Sequence, residues 1–253
     1  MSGFKLQSEP RKPCIIFRLN GTLMSMGILS LPLIAFLLSV IISMIKDFEQ
    51  STATHCRVWN LFPSISAAIS CCTPQRYIWR LLIALHTAPR FMIACMYYNH
   101  YMAFSVSGNG VLYQMMVAVN SLLHVLENIC LLTLSFVMSH ENYGFMLFSL
   151  LYMFLTLVVF RWSRSGGPWT PKDLTSYRKK VSLAVFNMSV VIISVYFFFR
   201  HNWYCEPGMY SIYSFLEYLV VISNVAFHGT AVYEYGQGEL VFCEVPLHKL
   251  KAV

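Results

Sequence analysis

The chain has 253 residues, 57% of them hydrophobic and only 11% charged, with a net charge of +7. Soluble globular domains carry about a quarter of their residues as charges, so this composition excludes that class and indicates an integral membrane protein. The basic residues are not interleaved with aromatics as a nucleic-acid platform would require, so no nucleic acid is expected as a partner.

Apolar segments of spanning length predict an all-α fold, a polytopic membrane protein built as a six-transmembrane-helix bundle with two lumenal loops. The whole chain, 1–253, reads as one membrane domain with spans near 23–45, 76–98, 111–137, 143–160, 181–199 and 209–233. Residues 1–22 and 234–253 are cytosolic tails in this reading. Lys5, Arg11, Lys12 and Arg18 precede the first span, and Arg161, Arg164, Lys172, Arg178, Lys179 and Lys180 follow the fourth. The positive-inside rule puts both groups, and therefore both termini, in the cytosol. Leu23 to Ile45 lacks a cleavage pattern and reads as a span rather than a removed signal peptide.

The loops near 46–75 and 200–207 then face the lumen, where disulfides persist. Cys56 and Cys205 lie on separate lumenal loops and are expected to pair; pairing of Cys56 with Cys71 or Cys72 is the alternative. In the second span Arg76, Arg80, His86, Thr87, Arg90 and Tyr97 share one arc of the helical wheel, with Pro89 between the two deepest. Arg76 and Arg80 can snorkel to head groups, but His86 and Arg90 are too deep for that. The third span carries Asn120, His124, Glu127 and Asn128 on one face, and the sixth carries Glu217, Asn224 and His228. A carboxylate in such a segment costs roughly 3 kcal/mol on insertion scales unless it faces a bundle interior or a wet cavity. At ~1.5 Å per residue, Glu217 lies ~10 Å deep, and His86 and Glu127 ~15 Å deep. The second, third and sixth spans are therefore expected to close around one cavity lined by His86, Arg90, Glu127 and Glu217. The bland alternative is a buried Arg90–glutamate pair that only fixes packing. The fourth and fifth spans, which lack charges, read as scaffold.

Lys249 and Lys251 stand fifth and third from the end of a cytosolic tail, a dilysine pattern that coat proteins read.

The segments THC, PQRYIWR, LHTAPRF, YNHY, VLEN, YFFFRHNWYCEPGMY and LEYLVVISNVAFHGTA resemble the post-GPI-attachment factors of the wider Frag/DRAM/Sfk family of six-span membrane proteins. The resemblance covers essentially all six spans. It implies a Golgi membrane protein, able to cycle through the endoplasmic reticulum, that remodels the lipid of glycosylphosphatidylinositol (GPI) anchors by reacylating lyso-GPI at sn-2 with a saturated chain. GPI-anchored proteins, lyso-GPI and membrane lipids are the implied partners, and their stable surface expression the implied result. His124 departs from the family pattern, which has an amide there, so the resemblance gives it no role.

Acyl transfer to a glycerol hydroxyl needs a base, a group to steady the oxyanion, and cationic groups for the inositol phosphate. His86 with Glu127 or Glu217 is the expected base and orienter, and Arg90 the stabiliser. Arg76, Arg80, Arg200, His201, Asn128, Asn224 and Tyr218 are the expected substrate contacts. A rival centre is His201 with Glu206, an H-x4-E spacing like the H-x4-D of glycerolipid acyltransferases. No metal and no cofactor is expected beyond an acyl donor, either acyl-CoA or a phospholipid. Three other readings stand beside this one: a lipid-binding or sorting factor that assists a separate acyltransferase, a transporter, and zinc held by His86, His124 and Glu127. No G-x-S-x-G or H-E-x-x-H is present, which disfavours a serine hydrolase.

Overall fold

The computed structural model describes residues 14–70, 72–104, 106, 108–137, 143–235 and 239–244. Six helices are long and apolar enough to cross a membrane: α1 (Gly21–Lys46), α4 (Gln75–Met102), α5 (Gly110–Phe136), α6 (Tyr143–Ser163), α7 (Pro171–Tyr204) and α8 (Met209–Gly229). Three short helices, α2 (Phe48–Thr52), α3 (Ile65–Ser70) and α9 (Ala231–Tyr235), lie between or after them. Each long helix packs on the next in sequence, and α1 meets both α4 and α8, so the spans close into a ring. The all-α bundle is thus observed. One element was not expected: β1 (Cys14–Asn20) and β2 (Glu239–Glu244) pair antiparallel, joining the two tails into a ribbon. Lys249 and Lys251 lie outside the described residues.

Helix starts follow local chemistry. The Asn20 side chain accepts the N–H of Thr22 at 2.8 Å and caps α1, and Asn109 caps α5 through Leu112. Thr170 and Asp173 form a capping box with Pro171 in the first turn of α7. This box starts the helix well before residue 181, so the basic stretch expected as a loop continues the fifth span as helix.

The bundle is apolar outside and polar inside, as a lipid solvent requires. Leu37, Leu122, Leu151 and Ile192 face outward, while Ser39, Asn120, Thr156 and Asn187 are buried. Inside, two apolar layers flank a polar one. Phe36, Trp79, Ile83 and Leu131 pack towards the end that carries α2 and α3, the loop end. Ile93, Tyr97, Tyr113 and Phe160 pack towards the ribbon end. Between them lie His86, Arg90, His124, Glu127, Asn224 and His228, all buried.

Candidate functional site

The helical period puts His86 and Arg90 of α4 on one inward face, one turn apart. Arg90 Nη2 lies 2.7 Å from Glu127 Oε2 of α5, with the two side chains 3% and 0% exposed. The same Nη2 lies 2.6 Å from Nε2 of His228 on α8. That nitrogen also lies 3.2 Å from Glu127 Oε1, so the His228 ring stands between the guanidinium and the carboxylate. Asn224 Nδ2 donates to Glu127 Oε1 at 2.9 Å and to Ser149 Oγ of α6 at 2.6 Å. His124 stacks on Tyr152 at 4.5 Å and on His228 at 5.0 Å. Four spans are therefore locked together through one carboxylate. Its charge is matched by Arg90, which is what makes burial in the bilayer core tolerable.

A cavity of about 380 Å³ opens beside this lock. Ile28, Ile83, Leu131, Phe145, Phe198 and Val221 are among its apolar walls, and His86, Arg90, Glu217, Asn224 and His228 are its ionisable and amide groups. The size and the few convergent polar groups suit a lipid-sized ligand. Glu217 Oε2 accepts the backbone N–H of Ile65 at 2.8 Å, so the first loop reaches into the bundle and fixes the carboxylate. That loop is stapled to the start of α8. Ser211 Oγ accepts the N–H of Leu61 and donates to Asn60 Oδ1, Tyr218 OH donates to the Pro63 carbonyl at 2.5 Å, and Cys56 is disulfide-bonded to Cys205. The Cys56–Cys205 pairing is the one realised, and it removes Cys71 and Cys72 as partners of Cys56. Cys205 ends α7 in the left-handed region at φ 51°, followed by Gly208 at φ 81°, a turn that glycine adopts without strain.

The expected site thus divides. His86, Arg90, Glu217 and Asn224 line the cavity, whereas Glu127 lies behind Arg90 and His228 and is fully buried. Among the described residues His86 Nδ1 has no hydrogen-bond partner, and no bond joins His86 to either glutamate. Arg76 donates to the Ser70 carbonyl and Arg80 to the Ser135 carbonyl at 3.1 Å. Both tie the start of α4 to neighbouring backbone rather than lining the cavity. Arg200 is 41% exposed and holds Glu206 in a two-point ion pair at 2.8 and 2.7 Å. That pair keeps the Glu206 carboxyl below its usual value of 4.5. His201 is buried against His55 and Tyr210. The H-x4-E dyad is therefore not formed, because Glu206 is committed to Arg200. Tyr218 clamps the loop, and Asn128 Nδ2 donates to the Thr87 carbonyl at 3.3 Å, joining α5 to α4.

Sequence reasoning missed three contributors. Ser149, Tyr152 and Thr156 put α6 into the polar layer, and their i, i+3, i+7 spacing was a readable signal. On α7, Asn187 donates to Ser223 Oγ at 2.8 Å. Lys180, expected in a solvated loop, is 1% exposed and pairs with Glu234 Oε1 at 3.0 Å, with Thr230 Oγ1 at 2.5 Å. It forms a second internal charge pair near the ribbon end.

Among the described residues, two clusters have the donor types of a metal site. Ligand atoms of His124, Glu127 and His228 lie within 4.8 Å of one another, but the Arg90 guanidinium already occupies the position beside Glu127 and His228 and would repel a cation there. In the other, His55, Cys56 and His201, the Cys56 sulfur is consumed by the disulfide. Neither set fits a resident metal.

The comparisons agree with this architecture. Residues 20–237 match the Frag1/DRAM/Sfk1/Cwh43P N-terminal domain. The chain is 42% identical over 236 residues to Acyltransferase PGAP2 of Xenopus tropicalis, covering 90% of this chain and 92% of that one. It is 36% identical over 218 residues to Post-GPI attachment to proteins factor 2 of Caenorhabditis elegans, covering 81% of each. It is 34% identical over 236 residues to the protein of the same name in Drosophila melanogaster, covering 90% of each. No solved structure matches. Six spans in a closed ring, a domain match across all of them and relatives aligned over most of their length lead to one conclusion: the chain belongs to the Frag1/DRAM/Sfk1/Cwh43P N-terminal domain family.

Proposed function

We propose that the chain is a membrane-embedded acyltransferase of GPI-anchor lipid remodelling in the Golgi, which reacylates lyso-GPI at sn-2 with a saturated chain. The observation that carries this reading is the apolar cavity in which Glu217, His86 and Arg90 converge; the names of the relatives give it its chemistry. Glu217, held by one backbone N–H, takes the proton of the glycerol hydroxyl. The hydroxyl oxygen forms the new ester with the donor's acyl carbon while the donor's own C–O or C–S bond breaks. Arg90 has five N–H donors. Among the described residues Glu127 and His228 engage Nη2 alone, so Nη1 is left to steady the oxyanion. Glu217 then passes that proton to the leaving group, and His86 on the same wall orients the hydroxyl. Glu127 acts through Arg90 and is a positioning residue. No metal or cofactor enters the scheme, and the donor is acyl-CoA or a phospholipid.

In this reading the loop end faces the lumen, both tails face the cytosol, and Lys249 and Lys251 engage coat proteins; changing both to Ser would shift the protein's distribution between Golgi and endoplasmic reticulum. A carrier that presents lyso-GPI to a separate acyltransferase is the second reading, favoured by the lack of any hydrogen bond on His86 Nδ1. Purified protein reconstituted with lyso-GPI and each acyl donor separates the two. Product that is lost in Glu217→Gln and His86→Ala supports the enzyme, whereas saturable lyso-GPI binding without product supports the carrier.

A further inference from the structure

A second recess, about 820 Å³, lies at the ribbon end between α6 and α7, on the far side of the polar layer from Glu217. Its floor is the α6 stripe Phe154, Leu157 and Val158, leading to Arg161. Arg161 stands seven positions after Phe154 on the helix, a run of ~10 Å along the axis. The recess is therefore apolar along its length and basic at its mouth. Trp162 and Trp169 also line it, the residue type that settles at the head-group level of a bilayer.

The two arginines at the mouth differ. Arg164 is a fixed wall: it donates to Asp173 Oδ1 at 2.7 Å and lies over the Phe104 ring at 4.3 Å. Arg161 is exposed and makes no ion pair or hydrogen bond among the described residues. No carboxylate is among the described residues that line the recess, and Asp173 beside Arg164 is already shared between that guanidinium and the cap of α7, so among the described residues none is placed to hold a head-group ammonium. An open guanidinium over an apolar trough needs an anion that carries a hydrocarbon chain. Basic pockets between spans bind acidic phospholipid head groups for this reason.

We propose that the α6–α7 recess is a binding site for an anionic phospholipid, its phosphate on Arg161 and one acyl chain along Leu157 and Phe154. The site is separate from the Glu217 cavity and independent of the acyl-transfer reading.

Native mass spectrometry of the purified full chain, titrated with phosphatidylserine and with phosphatidylcholine, tests it. A basic residue at the head group contributes about fivefold in affinity, so phosphatidylserine should bind at least about fivefold more tightly. Arg161→Glu should abolish the preference. Leu157→Trp, which keeps the charge and fills the trough, should weaken both lipids. Arg178→Glu, an exposed charge change on α7 outside the recess, should leave the preference intact. Water-soluble glycerophosphoserine should not displace the lipid. Equal binding of the two lipids, an unchanged Arg161→Glu, or an Arg178→Glu loss as large as that of Arg161→Glu would overturn the site. Displacement by glycerophosphoserine alone would overturn the role of the trough.

Discussion

Glu127→Gln is the sharpest test of the internal lock, because it changes shape little and charge completely. Glu127 is fully buried and faces Arg90 at 2.7 Å and Asn224 at 2.9 Å. Its replacement leaves the guanidinium in the bilayer core without a counter-charge, and removing one partner of a buried pair costs about 3–5 kcal/mol. Each kcal/mol moves the midpoint of a chain of this size by ~2–4 °C, so Tm should fall by roughly 6–20 °C. Thermal unfolding of the purified variant in one detergent, followed by size-exclusion fluorescence, reads this directly. Glu217→Gln is the internal control. A glutamine oxygen still accepts the Ile65 N–H, so its loss should stay within about 1 kcal/mol. The double change Arg90→Met with Glu127→Met removes both charges and should recover at least half of the single variant's loss. A Glu127→Gln protein that melts with the wild type, or no lower than Glu217→Gln, would refute the lock.

The remaining predictions concern the cap. Cys56→Ser and Cys205→Ser each remove the same cross-link between the first loop and the end of α7, a loss of ~2–4 kcal/mol. The double variant should be no less stable than either single one, and a loss equal to their sum would contradict a shared bond. Arg200 lowers the Glu206 carboxyl below its usual 4.5 by hydrogen bonding. A lowered carboxyl stabilises the fold above the unfolded-state value and loses that effect as pH falls through the folded one. The stability difference between wild type and Glu206→Gln should therefore be the same at pH 7 and pH 5.5 and vanish well below pH 4.5. A difference that disappears between pH 7 and pH 5.5 would show that Arg200 is not the cause.

The spans were legible because bilayer thickness and the cost of unpaired backbone leave so few options for an apolar run. So was the inward face of α4, α5 and α8, since a charge in hydrocarbon must turn to the interior wherever the helix lies. What periodicity does not carry is which inward groups meet. Glu127 and Glu217 sit on equally polar stripes, yet helix rotation hands Arg90 to the first and a loop N–H to the second. Sequence shows the charge of Arg76 and Arg80 and not the Ser70 and Ser135 carbonyls that fix the two guanidinium groups at the start of α4. Lys180 looked solvated within a basic run because its counter-charge, Glu234, is far away in sequence. The tail ribbon rests on long-range pairing of two short strands, which no local pattern announces.

In the proposed function the lipid substrate enters the cavity between α4 and α8. A lyso-GPI analogue with a photoreactive group on its chain, crosslinked to the reconstituted protein and mapped by peptide mass spectrometry, measures this most directly. Labels on Ile83, Val220 and Val221, which line the cavity, are the predicted result, with protection by unmodified lyso-GPI. Labels confined to outward-facing Leu85 and Phe215, or insensitive to that competitor, would contradict it.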